Sequence, residues 1–233
     1  MKNSNFWKIV KITLPVFFGY IAIGIPFGIM LVKKGYPWWM APVMSITMYA
    51  GAGQYLAVGL FAAGASFAQI AVAQLLINIR HIVYGLSLID KLKDVKKWKP
   101  YIVFALTDET YALMTSTDLP EGEDAGRFYG TMAVLDQSYW ILGSFIGAVA
   151  GTLIPFDFAG VDFALTALFA VLLIEQIKKS KDIIPPVIGI CSTILCIALS
   201  RLNLIPGENI LLIALCVGIV CLIIAKGNKR SAE

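Results

Sequence analysis

The residues of this chain best suited to chemistry lie where charge is costly, inside long apolar runs. One run, AVAQLLINIRHIVYGLSLID, carries Gln74, Asn78, Arg80 and His81. An Arg, Lys or Asp at the centre of a membrane helix costs roughly 2.5–3.5 kcal/mol on insertion scales. At 1.5 Å per helical residue, Arg80 lies about 15 Å from the basic stretch that begins at Asp90. That is too far for a guanidinium to snorkel to water, so Arg80 needs a partner or a water-filled cavity. Asn78 and His81 share a helix face, and Arg80 shares a neighbouring one with Tyr84. Two readings stay open for this group: a polar knot that joins helices, or a site for substrate binding or coupling.

Two further runs supply acids. ALTDETYAL holds Asp108, Glu109 and Thr110, and AVLDQSYW holds Asp136 followed by Gln137 and Ser138. Asp108, Glu109 or Asp136 could neutralise Arg80 across a helix pair; those left over could carry a proton or receive an ammonium group. In YAGAGQYLAVG, Gly51 and Gly53 allow close helix approach. Alternatively, they expose backbone that could bind a substrate oriented by Gln54. Glu175 beside Lys178 reads as an ion pair at the end of a span.

The elements that must position these groups are membrane helices. The chain is 58% hydrophobic and 15% charged, with a mean hydropathy of +0.78, whereas soluble domains carry about 25% charged residues. A crossing helix needs about 20 apolar residues. Stretches near 13–32, 38–62, 67–89, 101–117, 128–154, 161–177, 183–200 and 207–225 qualify. The expected fold is an all-α polytopic membrane protein of about seven or eight hydrophobic segments, forming one permease domain over 1–233. The N-terminal apolar run is too long for a signal-peptide core and is expected to be retained. Trp38, Trp39, Trp98 and Tyr101 are expected as interfacial anchors.

Basic residues favour the cytoplasmic side, which places the loop 90–99 (DKLKDVKKWK) inside and the acidic loop 118–127 (DLPEGEDAGR) outside. Eight simple crossings cannot also keep Lys33, Lys34 and the block Lys178–Lys181 inside. The conflict disappears if the first and fifth segments are interrupted or return to the face they entered. Gly24, Pro26 and Gly28 weaken a helix in the first; Gly143, Gly147 and Gly151 do so in the fifth. The halves 13–117 and 128–225 would then run in opposite senses, an inverted repeat with broken helices near the substrate.

Other classes find little purchase. The net charge of +4 sits in blocks between spans without stacking aromatics, which argues against nucleic acid. Cys191, Cys196, Cys216 and Cys221 have no metal-ligand spacing, so neither metal nor cofactor is expected. With one histidine and neither HExxH nor GxSxG, a membrane-embedded enzyme is the weakest alternative. A channel, or a non-transporting structural subunit, is the stronger one.

Five runs, in order, resemble the AzlC family, the large subunits of bacterial branched-chain amino-acid exporters. They are GYIAIGIPFG at 19–28, YAGAGQYLAVG at 49–59, INIRHIVYGLSL at 77–88, LTDETYAL at 106–113 and DFALTALFAVLL at 162–173. The resemblance implies a multi-pass permease of the bacterial inner membrane that exports leucine, isoleucine, valine and related aliphatic amino acids such as methionine. It also implies a small, hydrophobic AzlD-type partner. Direction rests on the family alone. Gly53–Gln54–Tyr55 departs from an expected Ser-Gln-Phe, which points to an altered substrate preference. A zwitterion with an aliphatic tail requires donors for its carboxylate, an acid for its ammonium and an apolar wall. A wall separates aliphatic tails by only about 1–3 kcal/mol per methylene, so several amino acids should share the site. No P-loop is present, so energy is expected from an ion gradient, with a proton as first choice.

Overall fold

The computed structural model describes residues 3–154, 181–202, 204–207 and 210–230, with scattered positions between 163 and 178. Most of the sixth segment, part of the run at 162–173, and Glu175 with its expected ion pair therefore lie outside the described residues. The chain is an all-α polytopic membrane protein. The helices bounded among the described residues are α1 (Asn3–Lys33), α2 (Met40–Thr47), α3 (Gly51–Ala62), α4 (Phe67–Ser87), α5 (Lys99–Phe104), α6 (Asp108–Ser116), α7 (Ala125–Leu153), α8 (Ile184–Arg201) and α9 (Ile210–Arg230). Among the described residues, α1, α4, α7 and α8 are long and apolar enough to cross a membrane.

Contacts divide the chain into two compact units. One comprises Met1–Gly59 with Ile77–Leu165, and the other Leu60–Leu76 with Thr166–Glu233. In the second, α8 lies beside α9, where a Cβ on Gly218 would come within 3.3 Å of Ser192 Oγ. All the candidate site residues fall in the first unit.

That unit is built on α1 and α7. Thr13 bonds Tyr139 at 3.1 Å, Gly24 meets Gly143 and Ser144, Gly28 meets Gly147 and Ala148, and Gly151 meets Ile29. The numbers rise together, so the two helices run parallel. A Cβ on Gly147 would collide with the Ile25 carbonyl, and one on Gly28 with that of Ser144. Small residues thus bring two backbones into contact, as they do where lipid supplies no hydrophobic drive for helix association.

The expected interruptions are elsewhere. α1 is continuous despite Pro15 and Pro26, and α7 is continuous through its glycines. Gly24 and Gly28 are packing residues, not breaks. Because α1 and α7 are unbroken and parallel, the proposed halves do not open with oppositely directed or interrupted helices, and the inverted-repeat reasoning loses its basis.

The breaks fall in the second and fourth segments, at 48–50 and 105–107. The α5–α6 pair enters and leaves at one end of α7. At its start, Trp98 covers Gly126 and Gly130. At its finish, Lys91 Nζ donates to the carbonyls of Met114 and Thr117 and lies 5.3 Å over the Tyr129 ring. In between, Tyr101 reaches Gln137 at 2.7 Å and Thr107 reaches Tyr20 at 2.6 Å. The pair is therefore a re-entrant hairpin. The α2–α3 pair approaches from the other end: Trp38 lies against Phe145, Ser45 bonds Ser144 at 2.8 Å, and Gln137 Nε2 donates to the Ile46 carbonyl. α3 then turns back, with Tyr55 donating to the Ile23 carbonyl at 2.7 Å and its ring against Phe27.

Two corrections follow. The loops 90–99 and 118–127 share one face, not opposite ones, because the segment between them returns. Tyr101 is hydrogen-bonded inside the unit, and Trp98 seals the start of α7, so neither is a simple belt anchor. The same geometry puts Lys8 and Lys11 on one face with the loop 90–99, because α1, α4 and α7 cross and the hairpins do not. It leaves Lys33 and Lys34 on the other face, so that part of the charge conflict stands.

Replacing Gly147 by Val should force α1 and α7 apart and cost at least about 1–3 kcal/mol of overpacking. Fluorescence-detected size exclusion with a thermal ramp should show lower yield and an earlier melt than wild type. Gly19, whose Cβ position is open, should accept Ala with no such loss.

Candidate functional site

The start of α6 is written in its sequence. Thr107 takes an extended conformation and its hydroxyl accepts from the Thr110 backbone amide at 3.2 Å. Asp108 and Glu109 occupy the first turn, where the positive end of the helix dipole favours acids. A Thr cap followed by two acids, in the middle of an apolar stretch, marks a helix that begins inside the membrane.

Arg80 finds one of its three candidate partners. Its Nη1 lies 2.7 Å from Asp108 Oδ2, with the side chains 32% and 29% exposed. Tyr84, one turn along α4, donates to Asp108 Oδ1 and stacks on Tyr111 at 4.4 Å. Ser87 in turn donates to Tyr111 Oη. The C-terminal part of α4 and α6 thus run side by side. Arg80 Nε is buried without a partner. His81 is half-buried, its ring 5.9 Å from that of Tyr84. Asn78 is half-buried one turn earlier.

Glu109 and Asp136 do not meet Arg80. Glu109 Oε2 accepts from Tyr20 Oη at 2.8 Å, and Tyr20 Oη also lies 2.6 Å from Thr107 Oγ1. Thr107 donates to Thr110 Oγ1 at 3.1 Å, and Thr110 donates to Asp136 Oδ2 at 2.8 Å. Asp136 is 0% exposed, and its Oδ1 has no partner. It lies about 18 Å along α7 from the capping Asp124 at 1.5 Å per residue, near the middle of a ~30 Å hydrocarbon layer.

Gln54 is fully engaged. Its Oε1 accepts from Trp140 Nε1 at 2.8 Å and from the Ala50 amide at 3.3 Å, and its Nε2 donates to Ser45 Oγ. It braces the first break from within. Trp140 also covers Gly51, where a Cβ would come within 3.2 Å of the ring, and stacks near Phe27. Tyr49 sits in this break with φ +40°, 2% exposed, its hydroxyl unpartnered. Gly24, Pro26 and Gly28 lie on α1, the two glycines at the α7 contact.

The arrangement has two parts: a partly exposed ion pair, Arg80–Asp108, and a closed cluster of hydroxyls and carboxyls where both breaks approach α7. Tyr20, Tyr49, Thr107, Gln137 and Trp140 were not singled out as functional in the sequence. The Thr107 cap was the one available signal.

The profile described as AzlC protein matches residues 15–154, the stretch that carries both hairpins and α7. A membrane protein of Helicobacter pylori strain J99 is 37% identical over 212 residues, covering 91% of each chain. The branched-chain amino acid transport protein AzlC of Bacillus subtilis is 31% identical over 184 residues, 77% of this chain and 72% of its own. The inner membrane protein YgaZ of Escherichia coli is 26% identical over 228 residues, 94% of this chain and 88% of its own. No solved structure matches.

If Arg80 and Asp108 neutralise each other, removing one leaves a charge in a poorly solvated place. Arg80→Ala and Asp108→Ala should each lower the melting temperature, and the double variant should melt above the sum of the two losses. A thermal-shift double-mutant cycle in detergent reads the sign.

Proposed function

The chain belongs to the AzlC family, and from that premise we propose that it is a secondary transporter exporting branched-chain amino acids across the bacterial inner membrane. The observation that carries the reading is the Arg80–Asp108 pair, about one-third exposed, at the membrane-buried start of α6. A zwitterion carries the same two charges as that pair. Its carboxylate suits the Arg80 guanidinium, whose Nε has no partner, and its ammonium suits Asp108. A substrate that exchanges into the ion pair replaces one compensated charge arrangement by another, which limits the desolvation cost. His81 and Asn78 border the same stretch of α4.

Two opposed hairpins whose helices break near the membrane centre provide what alternating access requires, a site reachable in turn from either face. The face bearing Lys8, Lys11 and the lysines of 90–99 is the cytoplasmic one by the positive-inside rule. Lys33 and Lys34 lie at the other end of α1 and oppose that bias less strongly. The apolar outer face of α4, with Leu75, Ile79, Ile82, Val83 and Leu86 exposed, leaves surface for lipid or for a small AzlD-type subunit. Several aliphatic amino acids share the site, and an ion gradient supplies the energy.

The chain in liposomes, alone and with the small subunit, should catalyse saturable counterflow of labelled leucine that unlabelled isoleucine and valine inhibit. Arg80→Ala should reduce it by more than about tenfold, the loss of a charge-assisted contact. Non-saturable leak would favour a channel, and absence of flux in every combination would favour a structural subunit.

A further inference from the structure

The contacts of the closed cluster call for one proton more than its three linking hydroxyls can supply. Four short contacts link Glu109 to Asp136 in a chain: Glu109–Tyr20 at 2.8 Å, Tyr20–Thr107 at 2.6 Å, Thr107–Thr110 at 3.1 Å and Thr110–Asp136 at 2.8 Å. Each hydrogen bond needs one proton, and the three hydroxyls provide three. With both carboxylates ionised, Tyr20 spends its proton on Glu109 and Thr110 spends its own on Asp136. Thr107 has one proton for two contacts, so either the 2.6 Å contact to Tyr20 or the 3.1 Å contact to Thr110 is left with none. One carboxyl proton removes the conflict.

We propose that Glu109 and Asp136 share one exchangeable proton through the Tyr20–Thr107–Thr110 relay, and that this is the coupling site of the transporter. The proposal rests on the transport reading above and adds the ion and its place. With the proton on Glu109, that carboxyl donates to Tyr20, Tyr20 to Thr107, Thr107 to Thr110 and Thr110 to Asp136. With it on Asp136, every donor reverses. Passage from one state to the other breaks one O–H bond at Glu109, forms one at Asp136, and breaks and forms one at each hydroxyl oxygen between them, with no other reactant. The return runs the same transfers in reverse and delivers the proton back to Glu109.

The surroundings suit a proton better than a larger cation. Asp136 is wholly buried, so it offers no room for a substrate ammonium. The titratable groups around it are Tyr20 from α1, Tyr49 from the first break, Tyr101 from α5 and Glu109 from α6. Glu109 is faced by Asp108 and Tyr20, with Tyr49 nearby. Among these groups none is a cation, and Arg80 is engaged by Asp108. An ionised carboxylate in such a place has hydrogen bonds but no compensating cation. Glu109 is half-buried and follows Asp108 directly, so the outer end of the relay abuts the ion pair assigned to the substrate. Loading or release of the amino acid therefore changes the field at the proton's point of entry.

The test separates coupling from transport. In liposomes, Asp136→Asn and Tyr20→Phe should lose leucine accumulation driven by an imposed pH gradient by more than about tenfold, the scale of a lost proton-transfer group. Leucine counterflow, which needs no net proton movement, should persist in both. Driven accumulation at the wild-type level in both variants overturns the proposal, as does wild-type accumulation driven by sodium and indifferent to pH. If wild type shows no counterflow, the transport reading fails and the relay is judged spectroscopically. The infrared spectrum of the purified chain at neutral pH should contain a protonated-carboxyl band that disappears in the Glu109→Gln/Asp136→Asn double variant. A spectrum without that band in wild type, or with it unchanged in the double variant, overturns the relay. The same spectrum decides the case where a variant loses counterflow as well.

Discussion

A helix broken inside the hydrocarbon layer presents amides and carbonyls that lipid cannot satisfy, so such a break survives only where protein covers it. Here the cover is the α1–α7 pair. Because Gly24, Gly28, Gly143 and Gly147 let these helices touch backbone to backbone, they form a narrow rod with polar side chains along its flanks. Gln137 and Ser144 hold the α2–α3 hairpin. Tyr20 and Asp136 hold the α5–α6 hairpin. The glycine contact thus sets where both breaks can lie, and the breaks set where charge and unpaired hydroxyls can be kept. Tyr49, with its left-handed backbone and unpartnered hydroxyl, is placed by that same constraint.

The division of labour among the acids follows from depth and company. Asp108 begins α6 beside Arg80 and Tyr84, where the side chains remain partly exposed, so it is suited to charges that come and go. Asp136 is enclosed by α7 and both hairpins and has hydroxyls for neighbours, so it is suited to a proton. Glu109 stands between them, adjacent to one in sequence and linked to the other through hydroxyls. One short run, Thr107–Asp108–Glu109–Thr110, supplies the cap, the ion pair and much of the relay.

The membrane class was legible because hydropathy is additive over long windows. The need of Arg80 for an acid was legible from spacing alone, although three candidates remained. The breaks were not. Glycine and proline in α1 suggested an interruption, but glycine in a membrane helix serves close packing equally well, and the two uses look alike in one dimension. The true break at 105–107 holds neither residue and is too short to lower a hydropathy average; only the Thr107 cap betrays it. The acidic loop 118–127 was misplaced for the same reason, since its side depends on whether the preceding segment returns. The hydroxyl chain joins α1, α6 and α7 and has no signature along the sequence.

The central claim is that the α5–α6 segment is a hairpin open to a single face. Its most direct test is sidedness in intact cells and inverted vesicles, using cysteine-free protein with single cysteines at Lys34, Lys96 or Glu121. An impermeant thiol reagent should label positions 96 and 121 from the same side and position 34 from the other. Labelling of 96 and 121 from opposite sides would contradict the account, because the segment between them would then cross the membrane and the relay would lose its geometry.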